Sequence, residues 1–491
     1  MTSSGAGGAE AGVAIDQAGS FEEWTTAAAE LDRNEGLAAW REIDESRHFD
    51  ADLLRDHLEQ LREHRRSGDY LGLAELLHES LYRNLGELAN PELYLHARCG
   101  PKRLVDVYLD EVEGAVVDIA DADIPGVSSA RKLDLLEQAA HNLGRSALML
   151  SGGATMGLFH AGVVKALWQQ GLLPRALSGA STGAIIAAAT CTRTDTELGE
   201  IFADPSLVDT RVFEAHSSAQ ILRGEGVMSQ KNLLRSIRAN IPDMTFLEAH
   251  RHSGRILNIA VSPTRMHQKP RLLNHLTAPD VLIPHAVLAS SAIPGVFPPA
   301  GLMARDAQGA EVPHSPDDKW IDGTIHSDLP MLRIGRLFNV NHFIVSQTNP
   351  HLVPVVTARR GRGIVPLLGD LALSSLHAQW VQVLGVAERH LPWNGLRRVV
   401  DAVHGASDQR VMGDIDIHPP LSFWNYGMVF SNATTEDFEH FILQGERATW
   451  PKIAMIRNHT RVSRALERAM DKVGAGEPGG GPAEISESVT V

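Results

Sequence analysis

The sequence predicts an α/β fold with a mostly parallel sheet and helices on both faces, preceded by an all-α region. Short apolar runs over Ala147–Leu150 and Arg175–Ser178 end in glycine turns, as buried parallel strands do. An amphipathic helix over Leu158–Gln170 connects them, which predicts a βαβ unit. Residues 20–145, by contrast, show only helical periodicity. The chain therefore changes from helical to α/β at Ser146.

The bulk composition limits the function classes. The chain has 491 residues, enough for two or three domains, and a formal net charge of −15. That charge argues against a general surface for nucleic acid or anionic membranes. Two cysteines far apart, Cys99 and Cys191, fit a reducing compartment and predict no cysteine metal site. Without a recognisable signal peptide or long apolar run, we expect a cytoplasmic, non-secreted protein.

Changes of pattern along the chain predict five segments. We expect residues 1–19 and 474–491, which are rich in small and polar residues, to be disordered. Residues 20–145 predict a helical N-terminal domain, and residues 146–350 predict the α/β core. Residues 351–473 predict a helical extension that packs on the core.

The glycine turn after the second predicted strand has the G-x-S-x-G pattern of a nucleophile elbow. It reads Gly179-Ala180-Ser181-Thr182-Gly183 and precedes a helix of small residues. Gly179 and Gly183 carry no side chain where such a turn brings neighbouring elements close. The Ser181 hydroxyl then lies near the positive end of a helix, which favours developing negative charge. This context predicts a nucleophilic serine, and the alternative is a tight turn with a buried serine.

The first glycine turn precedes Ser181 by about one crossover unit, so both turns should meet at the same edge of the sheet. It reads Ser151-Gly152-Gly153-Ala154-Thr155-Met156-Gly157. Backbone N–H groups of this loop, above all those of Gly153 and Ala154, are candidates for an oxyanion hole. A dinucleotide fingerprint would need glycine where Ala154 stands, and a P-loop would need G-K-[ST] after Gly157.

Asp322 is the predicted base. It ends the short apolar segment Trp320–Asp322 and precedes Gly323, so it should lie at the end of another strand. A carboxylate there can accept the Ser181 proton directly, and Gly323 lets the backbone turn tightly beside the nucleophile. The alternative is an ordinary Asp-Gly turn without a catalytic role.

Other titratable residues leave a second arrangement open. A Ser–His–Asp triad would use a downstream histidine, with His404 and His418 as candidates. His160, on the helix after the glycine loop, is expected to be a packed or hydrogen-bonded residue. Asp328, a few residues after Asp322, is expected to have a structural role.

Together the three motifs resemble those of the patatin-like acyl hydrolases. The matching residues are Ser151-Gly152-Gly153 with Gly157, Gly179-Ala180-Ser181-Thr182-Gly183, and Asp322-Gly323-Thr324. The resemblance implies a three-layer α/β/α sandwich and a Ser–Asp dyad, with Ser181 as nucleophile and Asp322 as proton acceptor. It also implies that the loop with Gly152, Gly153 and Ala154 forms the oxyanion hole, and that no metal or cofactor is needed.

Over about residues 20–460, the sequence resembles the triacylglycerol lipase branch of that family in particular. The segments that carry this likeness are Leu150–His160, Gly171–Pro174, Ser290–Pro299, Gln347–His351 and Gly413–Ile417, together with the helical region. The resemblance implies a carboxylic ester hydrolase acting on long-chain fatty-acid esters, foremost triacylglycerol. Phospholipid or lysophospholipid hydrolysis is the alternative, and a non-catalytic lipid-binding scaffold is a further one.

Two residues depart from the family pattern. Met156 stands where many relatives have a basic residue, so the loop must act through its backbone N–H groups, and Thr324 stands where the third motif usually has glycine or alanine. The implied partner is a lipid ester, with a peripheral lipid-droplet or membrane surface left open. Leu367–Leu391, with Trp380 and Trp393, is the candidate interfacial element, and its alternative is an ordinary core-facing helix.

Overall fold

The structure is a computed structural model that separates into two compact units. It describes residues 12–81, 84–214, 228–265, 268–294, 296–350, 352–353, 412–422, 425, 427–429 and 431–475. The helical unit comprises the described parts of Met1–Arg145 and Pro451–Val491, and the α/β unit those of Ser146–Trp450. The interfacial candidate Leu367–Leu391, His404 and the expected disordered residues 1–11 and 476–491 lie outside the described residues.

The bounds of the elements follow the chain from its first labelled helix. The helices are α1 (Phe21–Asn34), α2 (Leu37–Glu42), α3 (Ala51–Ser67), α4 (Tyr70–Ser80), α5 (Arg103–Asp121), α6 (Ser129–Leu143), α7 (Phe159–Gln169), α8 (Thr182–Cys191), α9 (Asp195–Ala203), α10 (Gln230–Asn240), α11 (Phe246–Ser253), α12 (Ile283–Ser290), α13 (Thr324–Ser327), α14 (Met331–Phe338), α15 (Thr435–Thr449) and α16 (Ile453–Ala475). The strands are β1 (Arg145–Leu150), β2 (Ala176–Gly179), β3 (Ile256–Pro263), β4 (Arg271–Leu273), β5 (Leu302–Arg305), β6 (Glu311–His314), β7 (Trp320–Asp322), β8 (Val340–Ser346) and β9 (Ile415–Ile417).

The helical unit forms because each of its long helices has one apolar stripe. In α5 the buried residues Val105, Leu109, Val112 and Val116 recur at helical spacing. The helix α16 packs against α5 and α6 and supplies the fully buried Leu466. Burying such a side chain contributes about 1.5–3 kcal/mol, so α16 is a substantial part of this core.

The position of α16 differs from the expected extension over 351–473. Within that segment α15 packs against α7 of the α/β unit, whereas α16 packs against α5 and α6 of the helical unit. Ion pairs add to the packing of α16 on α5, because Arg461 pairs with Asp110 and Glu113 on α5. The expected disorder over 1–19 also differs in part, since residues 12–17 are helical and Ala18 is buried.

The α/β unit is a three-layer sandwich around a mostly parallel sheet. Its strand order is β4-β3-β2-β1-β8-β9, and β7 also pairs with β3. The pairs β1–β2, β2–β3 and β8–β9 are parallel, whereas β4 and β7 run antiparallel to β3. The strand β3 is buried along its whole length, as expected for a strand covered on both faces.

Strand register brings three turns to one edge of this sheet. Leu150 at the end of β1 lies opposite Gly179 at the end of β2, so the two glycine turns leave the sheet side by side. The antiparallel β7 places Asp322 opposite Val261 of β3. The predicted βαβ unit is therefore present. The antiparallel direction of β7 and the β5–β6 hairpin were not predicted, because both depend on contacts distant in sequence.

Candidate active site

Ser181 lies between β2 and α8 in a strained backbone conformation. Its φ of 53° and ψ of −126° are unfavourable for a residue with a side chain, and such strain is concentrated at functional sites. Hydrogen bonds from another element stabilise this turn. The Ser181 N–H donates to the carbonyl oxygen of Ser290 at 3.1 Å and to the Ser290 Oγ at 3.2 Å. Ser181 itself is 5% exposed.

The two glycines of the elbow are required by close packing. A Cβ at Gly179 would lie 2.2 Å from the carbonyl oxygen of Gly183. A Cβ at Gly183 would lie 2.2 Å from the carbonyl oxygen of Leu150. Any side chain at either position would therefore push the elbow away from β1 and from α8.

Asp322 is a fully buried carboxylate with one oxygen uncommitted. Its Oδ1 accepts hydrogen bonds from the backbone N–H and the hydroxyl of Thr324, at 2.9 and 2.8 Å. Its Oδ2 has no hydrogen-bond partner of good geometry among the described residues. Burial raises the pKa of Asp322 to about 6, and the bonds from Thr324 and the nearby Ser181 side chain oppose that rise. A carboxylate with a pKa near 6 is a stronger base than an ordinary aspartate.

Ser290, at the end of α12, connects the nucleophile turn to the Asp322 turn. Its carbonyl oxygen accepts the N–H of Ser181 at 3.1 Å and the N–H of Gly323 at 3.3 Å. Its hydroxyl donates to the Ala260 carbonyl at 2.7 Å. One buried residue thus fixes both turns. In the sequence, Ser290 stands out only as part of a segment that resembles the family, and no local pattern indicates its role in the site.

The glycine loop passes directly beside Ser181. A Cβ at Gly152 would lie 2.3 Å from Thr324 Cγ2 and 3.3 Å from Ser181 Cβ, so Gly152 is wedged between the two. The Gly152 N–H, however, donates to Asp328 Oδ1 at 3.0 Å. This differs from the expectation that Gly152 belongs to the oxyanion hole, because its donor is already used. In the part of the chain that the structure describes, the N–H groups of Gly153 and Ala154 have no such acceptor.

Asp328 is a second buried carboxylate at the site. Its Oδ2 accepts a hydrogen bond from Asn349 Nδ2 at 3.3 Å, while its Oδ1 holds Gly152. Burial, helped by the neighbouring Asp322 carboxylate, raises the pKa of Asp328 to about 7, and the hydrogen bonds from Gly152 and Asn349 oppose that rise. A structural role is expected for Asp328 from the sequence, but no local pattern indicates its contact with the glycine loop.

Of the histidines singled out in the sequence, His160 and His418 lie in the described residues, and their hydrogen bonds go to other groups than Ser181. His160 is fully buried and hydrogen-bonded at both ring nitrogens, to Ser346 Oγ at 2.7 Å and to the Ser151 carbonyl at 2.9 Å. Burial lowers the pKa of His160 to about 4, so the ring is neutral at pH 7. His418 lies beside the Pro419 carbonyl, and His404 is outside the described residues. Among the residues described, no histidine is hydrogen-bonded to Ser181 or Asp322.

An apolar cavity of about 500 Å³ begins beside the site. Ala154 of the glycine loop and Thr182 of the elbow line one part of it, and α7, α8, α9, α10 and α15 contribute its mostly apolar walls. Cavities of this size and polarity are typical of small-molecule sites. Ser181 is one residue from this lining.

Two kinds of feature are absent from the described ranges. These ranges contain no group of three or more His, Cys, Asp or Glu side chains arranged to hold a metal ion. They also contain no helix whose length and hydropathy would allow it to span a bilayer.

Known proteins match this chain along most of its length. The profile of the patatin-like phospholipases matches residues 148–333, and a domain of unknown function, DUF3336, matches residues 9–141. Triacylglycerol lipase 4 of Saccharomyces cerevisiae is 33% identical over 92% of this chain and 52% of its own length, and triacylglycerol lipase 5 of that yeast is 32% identical over 92% and 63%. Triacylglycerol lipase ptl3 of Schizosaccharomyces pombe is 33% identical over 94% of this chain and 96% of its own length.

The chain thus spans about half to two thirds of the two Saccharomyces relatives and nearly all of the Schizosaccharomyces one. The two profiles meet near residue 145, where the helical pattern gives way to β1. The chain belongs to the patatin-like lipase family, in the group whose members carry the helical DUF3336 domain before the patatin domain.

Proposed function

We propose that this chain is a serine acyl hydrolase for long-chain fatty-acid esters, with Ser181 as the nucleophile and Asp322 as the proton acceptor. The observation that carries the proposal is the shared support from Ser290, whose carbonyl oxygen accepts an N–H from each of the two turns. A strained elbow serine beside a buried carboxylate with a free oxygen is the pairing that nucleophilic catalysis requires.

The proposed reaction has two acyl-transfer steps. Ser181 Oγ attacks the ester carbonyl while Asp322 takes its proton, and the N–H groups of Gly153 and Ala154 stabilise the oxyanion. When the C–O bond breaks, Asp322 returns the proton to the leaving alcohol. Water then attacks the acyl-enzyme, again giving its proton to Asp322, and the fatty acid leaves as the proton returns to Ser181. No step needs a metal or cofactor.

Triacylglycerol is the proposed substrate because the relatives that cover most of this chain are named triacylglycerol lipases. The large apolar cavity beside the glycine loop supports a long acyl chain. Phospholipid is the second candidate, since the profile matched by residues 148–333 is that of patatin-like phospholipases.

We also propose that the protein works in the cytoplasm and binds its substrate at a lipid-droplet or membrane surface. Both cysteines are free thiols, which fits a reducing compartment. Triacylglycerol and phospholipid molecules are packed in such surfaces, so the enzyme must associate with them at least transiently. Incubating the protein with triacylglycerol emulsions and with phospholipid vesicles, then separating both by flotation, tests this association.

A lipid panel tests the enzymatic proposal. Wild type, Ser181→Ala and Asp322→Asn are assayed on emulsified triacylglycerol, diacylglycerol and phospholipid, with Ser67→Ala and Asp52→Asn as controls at exposed positions. We expect both site variants to lose at least about a thousandfold in rate, and the controls to keep the wild-type rate. A serine-directed fluorophosphonate should label wild type and leave Ser181→Ala unlabelled. Equal hydrolysis by all five proteins would exclude the dyad, and no hydrolysis by any would favour a lipid-binding scaffold.

A further inference from the structure

We propose that the 500 Å³ cavity binds the alkyl chain of the acyl-enzyme and that one face of α8 determines which chain lengths are accepted. Ala189 on that face limits the length of chain that fits. This inference rests on the proposed function and adds a specificity-determining residue to it. It identifies the ligand of the cavity as an unbranched alkyl chain entering from the Ser181 end.

The near end of the cavity adjoins the atoms that would hold the reacting carbonyl. Ala154, whose N–H is a candidate oxyanion donor, and Thr182, next to Ser181, both line it. The Thr182 hydroxyl donates to the Ala154 carbonyl at 2.7 Å, which holds the loop and the elbow together. An acyl group on Ser181 with its carbonyl oxygen toward the loop would therefore extend its chain past Thr182.

The exposure pattern of α8 identifies the face that meets the cavity. Ile185, Ile186 and Ala189 follow Thr182 at helical spacing and are only half-buried, although they lie inside the α/β unit. Ala187 and Ala188 on the other side are fully buried. Apolar side chains within the unit that remain half-exposed indicate open space that protein atoms do not fill.

The opposite walls suit an alkyl chain. Ala161 of α7 leaves room beside the glycine loop, while Phe202, Ile237 and Phe438 supply apolar surface from three other helices. A chain lying there would lose its contact with water over most of its length, which is the main source of its binding energy. The cavity volume also falls within the usual range for small-molecule sites.

The far end of the cavity is lined by polar groups that lie beyond the last turn of α8. Arg193 donates to the Ala189 carbonyl and to the Asn240 carbonyl, both at 2.7 Å, so its guanidinium is fixed at this end. His252 is hydrogen-bonded to Glu197 on the same rim, at 2.9 Å. An alkyl chain gains nothing by passing these groups, and its favourable path therefore stops near them.

The geometry of α8 gives the distance between Ala189 and the Ser181 end of the cavity. With a rise of about 1.5 Å per residue, Ala189 lies roughly 10 Å beyond Thr182 along the axis. A larger side chain at Ala189 would block the distal part of the path and leave the part next to Ser181 open. Blocking there should discriminate by chain length instead of lowering all rates equally.

The experiment compares esters of increasing acyl length, from butyrate to stearate with one common alcohol. Ala189→Val and Ala189→Phe are measured against wild type and against Ala203→Phe, which adds the same side chain at an exposed position outside the cavity lining. We expect the kcat/KM ratio of stearate to butyrate to fall about tenfold or more in Ala189→Phe, as for the loss of roughly two buried methylene groups, and less in Ala189→Val. Ala203→Phe should keep the wild-type ratio.

A binding measurement separates this inference from the proposed function. A fluorescent long-chain fatty acid is titrated into wild type, Ser181→Ala and Ala189→Val/Ser181→Ala proteins. Binding to Ser181→Ala that the added Val weakens supports the cavity assignment even if wild type hydrolyses no ester. An unchanged chain-length ratio together with unchanged fatty-acid binding in the Ala189 variants would overturn it. If Ala189→Phe does not fold, Ala189→Val decides the question.

Discussion

Asp328 accepts a hydrogen bond from the backbone N–H of Gly152 at 3.0 Å. This contact holds the first amide of the glycine loop against a buried carboxylate, whose other oxygen is held by Asn349. Gly152 is also wedged between Ser181 and Thr324, so its backbone position is fixed from two sides. The loop is therefore preorganised by Asp328, while Gly153 and Ala154 stay available for an oxyanion.

Replacing Asp328 tests this positioning role. Asp328→Leu leaves the Gly152 N–H buried without an acceptor, at a cost of about 1–3 kcal/mol, and frees the loop to move. Asp328→Asn keeps an acceptor oxygen for Gly152, provided that the Asn349 amide turns over. We expect kcat to fall by roughly 100-fold for the Leu variant with little change of KM, and by less for the Asn variant. Wild-type kcat in both variants, measured on one soluble ester, would contradict the role.

The stability of the protein should depend on pH through the same pair of carboxylates. The pKa of Asp322 is raised to about 6 and that of Asp328 to about 7, so the folded state binds more protons than the unfolded chain. The contribution of this pair to stability should therefore be largest below about pH 4, decline between about pH 4 and pH 7 and level off above. Urea unfolding at pH 5 and pH 8 measures the difference.

Asp328→Asn should reduce this decline, because the amide cannot ionise. The reduction is at most about 3–4 kcal/mol, since one pKa unit corresponds to roughly 1.4 kcal/mol. Asp52→Asn, at an exposed helix start, should leave the wild-type decline intact. The same decline in wild type and Asp328→Asn would mean that folding does not raise the pKa of Asp328.

Activity should show the opposite trend with pH. Asp322 accepts a proton only as a carboxylate, so kcat/KM should rise as pH increases through about 6 and reach a plateau above it. Because Asp322 and Asp328 interact, the midpoint belongs to the pair. Near pH 6 Asp328, whose pKa is about 7, is mostly protonated, so Asp328→Asn should change the midpoint little. A profile that is flat from pH 5 to pH 8 would argue against a carboxylate base.

The sequence revealed the elements of this site better than the contacts among them. Ser181 and Asp322 stand out because each follows a short apolar run and adjoins glycine, which are local signals. The contact of Ser181 with Ser290 spans 109 positions, and that of Gly152 with Asp328 spans 176. No local pattern encodes such pairs, so the hydrogen-bond partners of the turns had to come from the fold.

The packing partners and directions of whole helices and strands also depend on contacts that are distant in sequence. The apolar stripe of α16 predicts a packed helix, but a stripe does not say which surface it covers, and α5 and α6 are more than 300 positions away. Likewise, the run Trp320–Asp322 predicts a strand, whereas its antiparallel direction follows only from pairing with β3. The periodicity of a segment determines which of its faces is buried, and the chain topology determines the element against which that face packs.

The elbow should tolerate no side chain at Gly183. A Cβ there would lie 2.2 Å from the Leu150 carbonyl oxygen and 2.6 Å from that of Ser151. We expect Gly183→Ala to abolish activity and to lower the free energy of unfolding by about 2–5 kcal/mol, because β1 and α8 must move apart. Gly427→Ala, where a Cβ would meet no atom within 4 Å, should remain within about 1 kcal/mol of wild type. Comparable stability of both variants would show that the elbow can shift at little cost.

The helical unit should depend on α16 independently of catalysis. Leu466 is fully buried where this helix packs on α5 and α6, so Leu466→Ala should destabilise the helical unit by about 2–5 kcal/mol. Lys472→Ala removes only an exposed ion pair with Asp121 and should cost at most about 1 kcal/mol. Thermal unfolding followed by circular dichroism measures both variants. The pH profile of ester hydrolysis should keep its midpoint because both residues belong to the helical unit and the two carboxylates to the α/β unit. If Leu466→Ala unfolded no more readily than Lys472→Ala, α16 would not be part of the helical core.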